Sequence, residues 1–217
     1  RTRKRPVPAQ RTSPGQALAF GIILNLLAFA VFAVGVNLIS AALAVSGTLF
    51  YILIYTMYLK RNTPQNIVLG GAAGAIPPLV GWAAVTGGVG LPAIYLFAII
   101  FFWTPPHFWA LALLIKDDYA KAGVPMLPVA HGSSETRRAI FLYTLVLFAL
   151  TMMFFTVQAV GWLYLGVAVI LGGLFIHRSW RLLLDGTREK ARQLYLYSLL
   201  YLALLFAGIM IDSVLPY

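Results

Sequence analysis

Seven long apolar runs determine the environment in which this chain can fold. A helix needs about 20 mainly apolar residues to cross the hydrocarbon core of a bilayer, which is roughly 30 Å thick. The sequence places seven such runs at 16–37, 39–59, 66–86, 91–115, 139–159, 161–180 and 194–215. Apolar residues make up 61% of the chain and charged residues 10%, which is too little polarity to cover a soluble globule. We therefore predict an all-α integral membrane protein, a bundle of seven transmembrane helices in a single domain over residues 1–217.

The basic residues predict the orientation of these helices. All 16 Lys and Arg lie in the N-terminal stretch or in alternate connections between the runs, so they gather on one side of the predicted bundle. By the positive-inside rule that side is the cytoplasm, with the N-terminus inside and the C-terminus outside. We expect a multi-pass protein of the inner (plasma) membrane. A net charge of +10 is also common in nucleic-acid-binding proteins, but these gather the charge on one solvated face of a folded domain. No nucleic acid is expected as a partner.

An acidic pair, Asp117 and Asp118, stands where the fourth run leaves the membrane. The chain has only six Asp and Glu residues, and these two lie between Lys116 and Lys121. Mg²⁺ binds one or two carboxylates together with the phosphate oxygens of a substrate, so a pair on a basic face suits a metal held against a phosphorylated substrate. A simpler alternative is a solvated loop in which Asp117 pairs with Lys121 at i,i+4. The residues alone leave both interpretations open.

Prolines and polar residues inside the runs predict an internal cavity. Pro77-Pro78 and Pro105-Pro106 remove amide donors within a helix, and free carbonyls at membrane depth need protein or a cavity beside them. We expect a polar cavity that opens toward the cytoplasm. His107 follows the second proline pair, and it either donates to a freed carbonyl of its own helix or takes part in function. The spacing of Gly70 and Gly74 predicts close packing between helices.

Four segments of the chain resemble the UbiA-type intramembrane prenyltransferases, and among them the branch that farnesylates protohaem. They are Arg1-Thr-Arg-Lys-Arg-Pro6, the block from Tyr58 to Trp82, Trp103-Thr-Pro-Pro-His-Phe-Trp-Ala-Leu111, and Asp117-Asp-Tyr-Ala-Lys-Ala-Gly-Val-Pro-Met-Leu-Pro128. The resemblance implies a transferase of haem biosynthesis, which moves a farnesyl group from farnesyl diphosphate to a vinyl group of protohaem (haem B) and gives haem O. Haem B would be a substrate rather than a cofactor, and haem A synthase is the expected protein partner.

The same resemblance assigns roles to individual residues. Asp117 and Asp118 match the second acidic motif of the family and would hold Mg²⁺. Lys60 and Arg61 would contact the phosphate oxygens. The remaining candidates for substrate binding, including contact of the histidine with haem, are Arg3, Arg5, Asn66, His107, Tyr119 and Lys121.

The resemblance also predicts what this chain lacks. The family carries a first acidic motif, N-x-x-x-D-x-x-x-D, before the segment that matches Arg1 to Pro6, on one of two further helices that bring the fold to nine. We expect the chain to lack both helices and half of the metal site, and to be inactive on its own. Other functions remain open: a sister prenyltransferase with a quinone, chlorophyll or aromatic acceptor, a multi-span transporter, or an assembly factor for an oxidase. Transporters usually place charge or unwound backbone near the membrane midplane, whereas this acidic pair lies at one surface.

Overall fold

The computed structural model describes residues 5–215, and within that range the chain is helical apart from turns and short connections. The helices are α1 (Pro14–Gly35), α2 (Leu38–Asn62), α3 (Asn66–Thr86), α4 (Leu91–Leu114), α5 (Lys116–Lys121), α6 (Leu127–Ala130), α7 (Gly132–Thr156), α8 (Trp162–Asp185) and α9 (Arg188–Asp212). All except α5 and α6 are long and apolar enough to span a membrane, which gives seven such helices in the described range. The prediction of an all-α bundle with seven spans is confirmed.

The helix limits differ from the predicted apolar runs mainly on the basic side. Helix α7 begins at Gly132 rather than at 139, and α9 begins at Arg188 rather than at 194. Helix α8 continues to Asp185 instead of ending at 180. The backbone of these polar residues continues the i→i−4 hydrogen bonds of the helix, so the helices extend past the apolar stretch into the charged region. Hydropathy therefore predicts the spanning helices but not where they end on the basic side.

The middle of α2 departs from α-helical geometry. Residues Phe50–Leu59 form a π-helix, in which the Lys60 amide donates to the carbonyl of Tyr55 five residues earlier. The Thr56 hydroxyl likewise donates to the Tyr51 carbonyl, at 2.8 Å. Wide π turns are rare and occur frequently at functional sites. The stretch carries two tyrosines, Tyr51 and Tyr55, whose rings are tilted at 33° to each other with centroids 5.3 Å apart.

Helix α4 is the centre of the packing. It contacts α3, α7 and α9, and its middle section carries a continuous set of buried residues from Trp103 to His107. The buried core continues from there through α7, α8 and α9. In contrast, α1 has no buried residue and packs only on α2 among the described helices. Helix α1 is therefore the least enclosed of the described spanning helices, and α4 joins the first helices to the tightly packed group.

The N-terminus of α8 is capped from the far end of α9. Asp212 is fully buried, and its carboxylate accepts hydrogen bonds from the amides of Gly161 and Tyr164, the latter at 3.0 Å. A carboxylate at a helix N-terminus satisfies amides that have no partner within the helix and interacts favourably with the helix dipole. This contact fixes the last turn of α9 against the first turn of α8.

Candidate functional site

A cavity of about 920 Å³ lies among the first four helices and is bounded mainly by α2, α3 and α4. Aromatic rings from three helices form much of its wall: Tyr51 and Tyr55 of α2, Trp103 and Phe108 of α4, and Phe32 of α1. The remaining lining consists mostly of small and aliphatic residues. Its size and apolar surface suit a long hydrocarbon chain, because binding sites for such ligands are concave and largely apolar.

The cavity is not the polar one that the prolines predicted. Its two threonines turn their hydroxyls back to their own helices: Thr48 donates to the Ala44 carbonyl at 3.3 Å, and Thr104 donates to the Ile100 carbonyl at 2.8 Å. These intrahelical bonds satisfy the hydroxyls without presenting a donor to the cavity. That part of the prediction is wrong because the polar groups at this depth find partners within one helix.

Four residues of α3 lie along one side of the cavity at helical spacing: Gly70, Gly74, Pro77 and Gly81. At Gly70 a Cβ atom would overlap the Tyr55 ring, so α2 and α3 approach there as the glycine spacing predicts. At Gly74 and Gly81 a Cβ atom would meet nothing within 4 Å. The packing interpretation is confirmed at the first glycine and wrong at Gly74, where the missing side chain leaves open space.

The acidic pair lies on the short helix α5, directly after α4. Both carboxylates are exposed, and within residues 5–215 neither forms an ion pair with Lys121 or another basic side chain. The simpler alternative of an Asp117–Lys121 pair is therefore not observed, and Lys121 is exposed as well. Asp117 borders a hollow of about 260 Å³ that it shares with Arg137 and Arg188.

The pair provides two carboxylates for a cation, and no group of three His, Asp or Glu residues suited to a metal occurs in the described part of the chain. Mg²⁺ commonly binds proteins through one or two carboxylates and takes its other ligands from phosphates and water. Asp117 and Asp118 fit that pattern, since both are exposed and neither carboxylate is engaged in an ion pair among residues 5–215. A closed site made of protein ligands alone would need more groups than α5 offers.

Tyr119 connects the acidic helix with the cavity. Its side chain is partly buried against the main apolar core. Ile67, at the start of α3, belongs to the same core and lines the cavity. Because α3 and α4 are joined by a short connection and pack side by side in opposite directions, α5 at the end of α4 lies near the end of the cavity at which α2 ends and α3 begins.

Three polar candidates meet at that same end. Lys60 and Arg61 are exposed in the last turn of α2, and Asn66 begins α3. Asn66 is 1% exposed, and its amide nitrogen makes a long hydrogen bond of 3.5 Å to the Lys60 carbonyl. Its amide oxygen is buried without a hydrogen-bond partner in the described structure. An unpaired buried acceptor is costly, so a donor is expected to reach this oxygen in the working protein.

The N-terminal arginines and the histidine stand apart from this group. Arg5 borders a different hollow, of about 720 Å³, together with residues of α1 such as Gln16 and Phe20. Arg3 lies outside the described residues. His107 is 7% exposed and does not line the cavity, because it packs in the interface between α4 and α9. The structure therefore brings Lys60, Asn66 and α5 to one end, but it does not bring Arg5 or His107 to that end.

The partners of His107 fix its tautomer. Its Nδ1 lies 2.7 Å from Oγ of Ser198, and that hydroxyl donates its one hydrogen to the Tyr195 carbonyl at 2.6 Å. Nδ1 must therefore carry the proton and donate to Ser198. The ring also stacks on Trp103 and Tyr195, with centroid distances of 4.3 and 5.0 Å. The alternative of a bond to a carbonyl of its own helix is not observed among the described residues, since the partner lies on α9.

Sequence reasoning did not identify several of the residues that shape this region. Tyr51, Tyr55 and Gly81 could not be assigned to the cavity, because α2 and α3 are apolar nearly all round. Arg137 is one of the basic residues that predict the orientation of the bundle. Within residues 5–215 its buried Nε has no hydrogen-bond partner, and its guanidinium packs so closely on Gly186 that a Cβ atom there would overlap it. The sequence signal for a role of Arg137 in this region is its position, since it is a basic residue within the first turns of the long helix α7.

Comparison with known proteins decides the family. Residues 1–206 match the model of the UbiA prenyltransferase family. The chain belongs to the UbiA prenyltransferase family. This assignment agrees with the resemblance of the four sequence segments and with the apolar cavity.

Individual members of the UbiA family show how much of a relative this chain represents. It is 54% identical over 212 residues to a protoheme IX farnesyltransferase of Roseiflexus castenholzii, which covers 98% of this chain and 40% of that protein. It is also 54% identical over 215 residues to the protoheme IX farnesyltransferase of Gloeothece citriformis, covering 98% of this chain and 67% of the relative. The chain thus spans between two fifths and two thirds of these relatives.

A solved structure supports the UbiA fold independently. The chain superimposes with a TM-score of 0.78 on a structure described in work on digeranylgeranylglyceryl phosphate synthase in membranes. The similarity covers 98% of this chain and 76% of the other, at 19% sequence identity. At that identity the comparison establishes the fold of the helices and carries no information about the substrates.

Proposed function

We propose that this UbiA family protein transfers a farnesyl group from farnesyl diphosphate to a vinyl group of protohaem. The observation that carries the proposal is the apolar cavity of about 920 Å³, whose Ile67 end lies on the side of the bundle that carries Lys60, Arg61 and the acidic helix α5. A prenyl diphosphate has the same division into an apolar tail and an anionic head. The choice of acceptor rests on the relatives, which carry the name protoheme IX farnesyltransferase.

The proposed reaction forms a C–C bond and a C–O bond, and it breaks the allylic C–O bond, the π bond of the vinyl group and one O–H bond of water. The bond between the allylic carbon and the diphosphate oxygen breaks, and its electron pair leaves with the diphosphate. The allylic carbon then joins the terminal carbon of the vinyl group, and water adds its oxygen to the other vinyl carbon and loses a proton. Farnesyl diphosphate, protohaem and water thus give haem O, diphosphate and a proton, with no oxidant or reductant required.

The charged residues would act on the diphosphate. Asp117 and Asp118 would hold Mg²⁺, which when bound stabilises the negative charge of the leaving diphosphate. Lys60 and Arg61 would contact the phosphate oxygens, the arginine through two parallel hydrogen bonds and the lysine as a single charge. Arg3, Arg5 and Lys121 would add positive charge on the same side.

The cavity would protect the reactive carbon. Its apolar walls exclude water, which would otherwise capture the allylic cation before the vinyl group reaches it. The rings of Tyr55 and Trp103 line the cavity, and the face of an aromatic ring attracts a cation. Asn66 would present its unpaired amide oxygen to a donor near the head of the substrate. Contact of His107 with protohaem stays a prediction, with Nε2 as the nitrogen that its tautomer leaves as an acceptor.

The membrane orientation that we propose is based on the distribution of the basic residues. The protein would cross the plasma membrane with its charged connections and α5 in the cytoplasm, and haem A synthase would be the partner that consumes haem O. A transporter is the less favoured alternative, because the seven spans of the described range are continuous helices. Transporters typically interrupt helices near the substrate.

The experiment uses the complete protein in membranes that contain no haem O. Protohaem, farnesyl diphosphate and Mg²⁺ are supplied, and the extracted haems are analysed by mass spectrometry. We expect haem O with the parent protein and its loss with Asp117→Asn. The matched control is Asp185→Asn, which removes a carboxylate that is paired with Arg181 at 3.6 Å. Prenylation of a quinone or another aromatic acceptor instead would assign a sister activity, and no prenyl transfer would refute the proposal.

A further inference from the structure

We infer that Gly74 and Gly81 of α3 set the length of the prenyl chain that the cavity accepts. The inference rests on the proposed function, since it concerns how the tail of the same substrate lies in the cavity. The starting observation is the shape of the cavity along α3. Its lining begins at Ile67 and ends at Ala84, and the helical rise of 1.5 Å per residue separates these positions by about 25 Å.

The two ends of the cavity differ in chemistry. The end at Ile67 adjoins the buried Asn66, whose amide oxygen has no hydrogen-bond partner in the described structure, and lies about one helical turn from Gly70, against which the Tyr55 ring packs. At the other end the lining residues are apolar and include Phe32 and Ala84. The anionic head of a prenyl diphosphate therefore belongs at the Ile67 end. Its tail then extends along α3 toward Ala84, and the depth of the cavity limits the length of the tail.

Two positions along this path have no side chain and have open space in front of them. Gly74 lies about 10 Å from Ile67 along α3, and Gly81 lies about 20 Å from it. Both line the cavity, and a Cβ atom at either would meet nothing within 4 Å. Gly70 differs, because the Tyr55 ring already fills the space before it. A larger side chain at Gly74 or Gly81 would occupy space that the tail needs, and its Cβ atom would not overlap the described part of the protein.

The effect of a larger side chain at Gly74 or Gly81 should depend on how far the position lies from the Ile67 end of the cavity. Leucine at Gly74 would obstruct the path near its middle and exclude all but short tails. Leucine at Gly81 would obstruct it farther from the head, so that it affects long tails more than short ones. Each additional methylene group that the cavity buries favours binding. The parent protein should therefore prefer farnesyl over geranyl diphosphate, and this gain should stop once the tail reaches the end of the cavity.

The test measures chain-length preference in the complete protein. Membranes with the parent protein, Gly74→Leu, Gly81→Leu or Gly173→Leu receive equal amounts of geranyl, farnesyl and geranylgeranyl diphosphate, and the prenylated products are quantified together. Gly173 is the matched control, because it is an exposed helical glycine of α8 that does not line the cavity and has nothing within 4 Å of a Cβ atom.

We expect Gly74→Leu to raise the ratio of geranyl to farnesyl product by about tenfold or more. We expect Gly81→Leu to lower geranylgeranyl transfer more than farnesyl transfer, and Gly173→Leu to keep the parent ratios. Unchanged ratios in both cavity variants would overturn the inference, and so would equal loss of all three products. If the parent protein transfers no prenyl group at all, the proposed function itself fails. The outcome for the parent protein therefore separates the two failures.

Discussion

His107 and Ser198 join two helices across 91 positions of the chain, with Nδ1 of the histidine 2.7 Å from Oγ of the serine. The same serine accepts a second bond through its backbone, because the Trp103 indole donates to the Ser198 carbonyl at 2.8 Å. Trp103 is part of the cavity wall and stacks on the His107 ring. The position of α9 thus determines where one wall of the cavity stands, although α9 itself does not line the cavity.

Replacing the histidine should weaken the contact between α4 and α9. His107→Phe keeps an aromatic ring but removes the bond to Ser198, so we expect the free energy of unfolding to fall by about 1–2 kcal/mol. The measurement is denaturant unfolding in detergent micelles. His177→Phe is the control, because His177 is exposed on α8. A similar small effect of both substitutions would contradict the structural role of His107.

Two glycines on the same side of α3 should respond in opposite ways to alanine. Gly70→Ala places a methyl group into the Tyr55 ring, so overpacking should cost about 1–3 kcal/mol of stability. Gly74→Ala meets open space, and alanine favours a helix over glycine by about 1 kcal/mol, so the substitution should be neutral or stabilising. Unfolding experiments compare the two variants. Tyr55→Ala should remove most of the cost at Gly70, and a cost that persists in that background would refute the explanation.

Removal of the divalent cation should weaken binding of farnesyl diphosphate. Chelation by EDTA should lower the affinity of the complete protein for this substrate, and Asp118→Asn should lower it about tenfold in the presence of Mg²⁺. Titration calorimetry with and without the metal provides the measurement. Glu135→Gln serves as the control, because that exposed carboxylate pairs with Arg138 at 2.9 Å instead of facing the site. Equal affinity with and without Mg²⁺ would count against the metal site.

The buried carboxylate at the end of α9 should contribute strongly to stability. Asp212→Ala leaves the amides of Gly161 and Tyr164 without their acceptor, and we expect a loss of about 2 kcal/mol. Ser213→Ala is the neighbouring control, since that hydroxyl is exposed and bonds only to the Met210 carbonyl. Thermal unfolding of the two variants in one detergent should separate them by several degrees, and equal midpoints would show that the cap contributes little.

The sequence predicted those features of the structure that depend on residues close together in the chain. Runs of apolar residues predicted every spanning helix, because a helix satisfies its own backbone in lipid and its length is set by the bilayer. The same apolar runs predicted that Asp117 and Asp118 lie at the end of α4. These features need no knowledge of how one helix faces another.

Features that join distant residues could not be predicted. The Asp212 cap links positions 51 and 48 apart, and the partner of His107 is still farther away. A helix that is apolar all round gives no periodic signal to show which side faces the interior. For that reason the sequence could not assign Tyr51 or Tyr55 to the cavity wall. It also predicted the wrong polarity for that wall, because the Thr48 and Thr104 hydroxyls bond to carbonyls of their own helices.

The π-helical stretch Phe50–Leu59 constrains how this chain can tolerate insertions and deletions. In an α-helical segment the loss of one residue turns every later residue by about 100° about the helix axis. The wide π turns hold more residues per turn, so a return to α winding within Phe50–Leu59 would take up such a loss locally. Lys60 and Arg61 follow the stretch directly, so both would keep their direction after a deletion inside the stretch and would lose it after a deletion earlier in α2. A comparison of homologues that counts only matching residues would not separate these two cases.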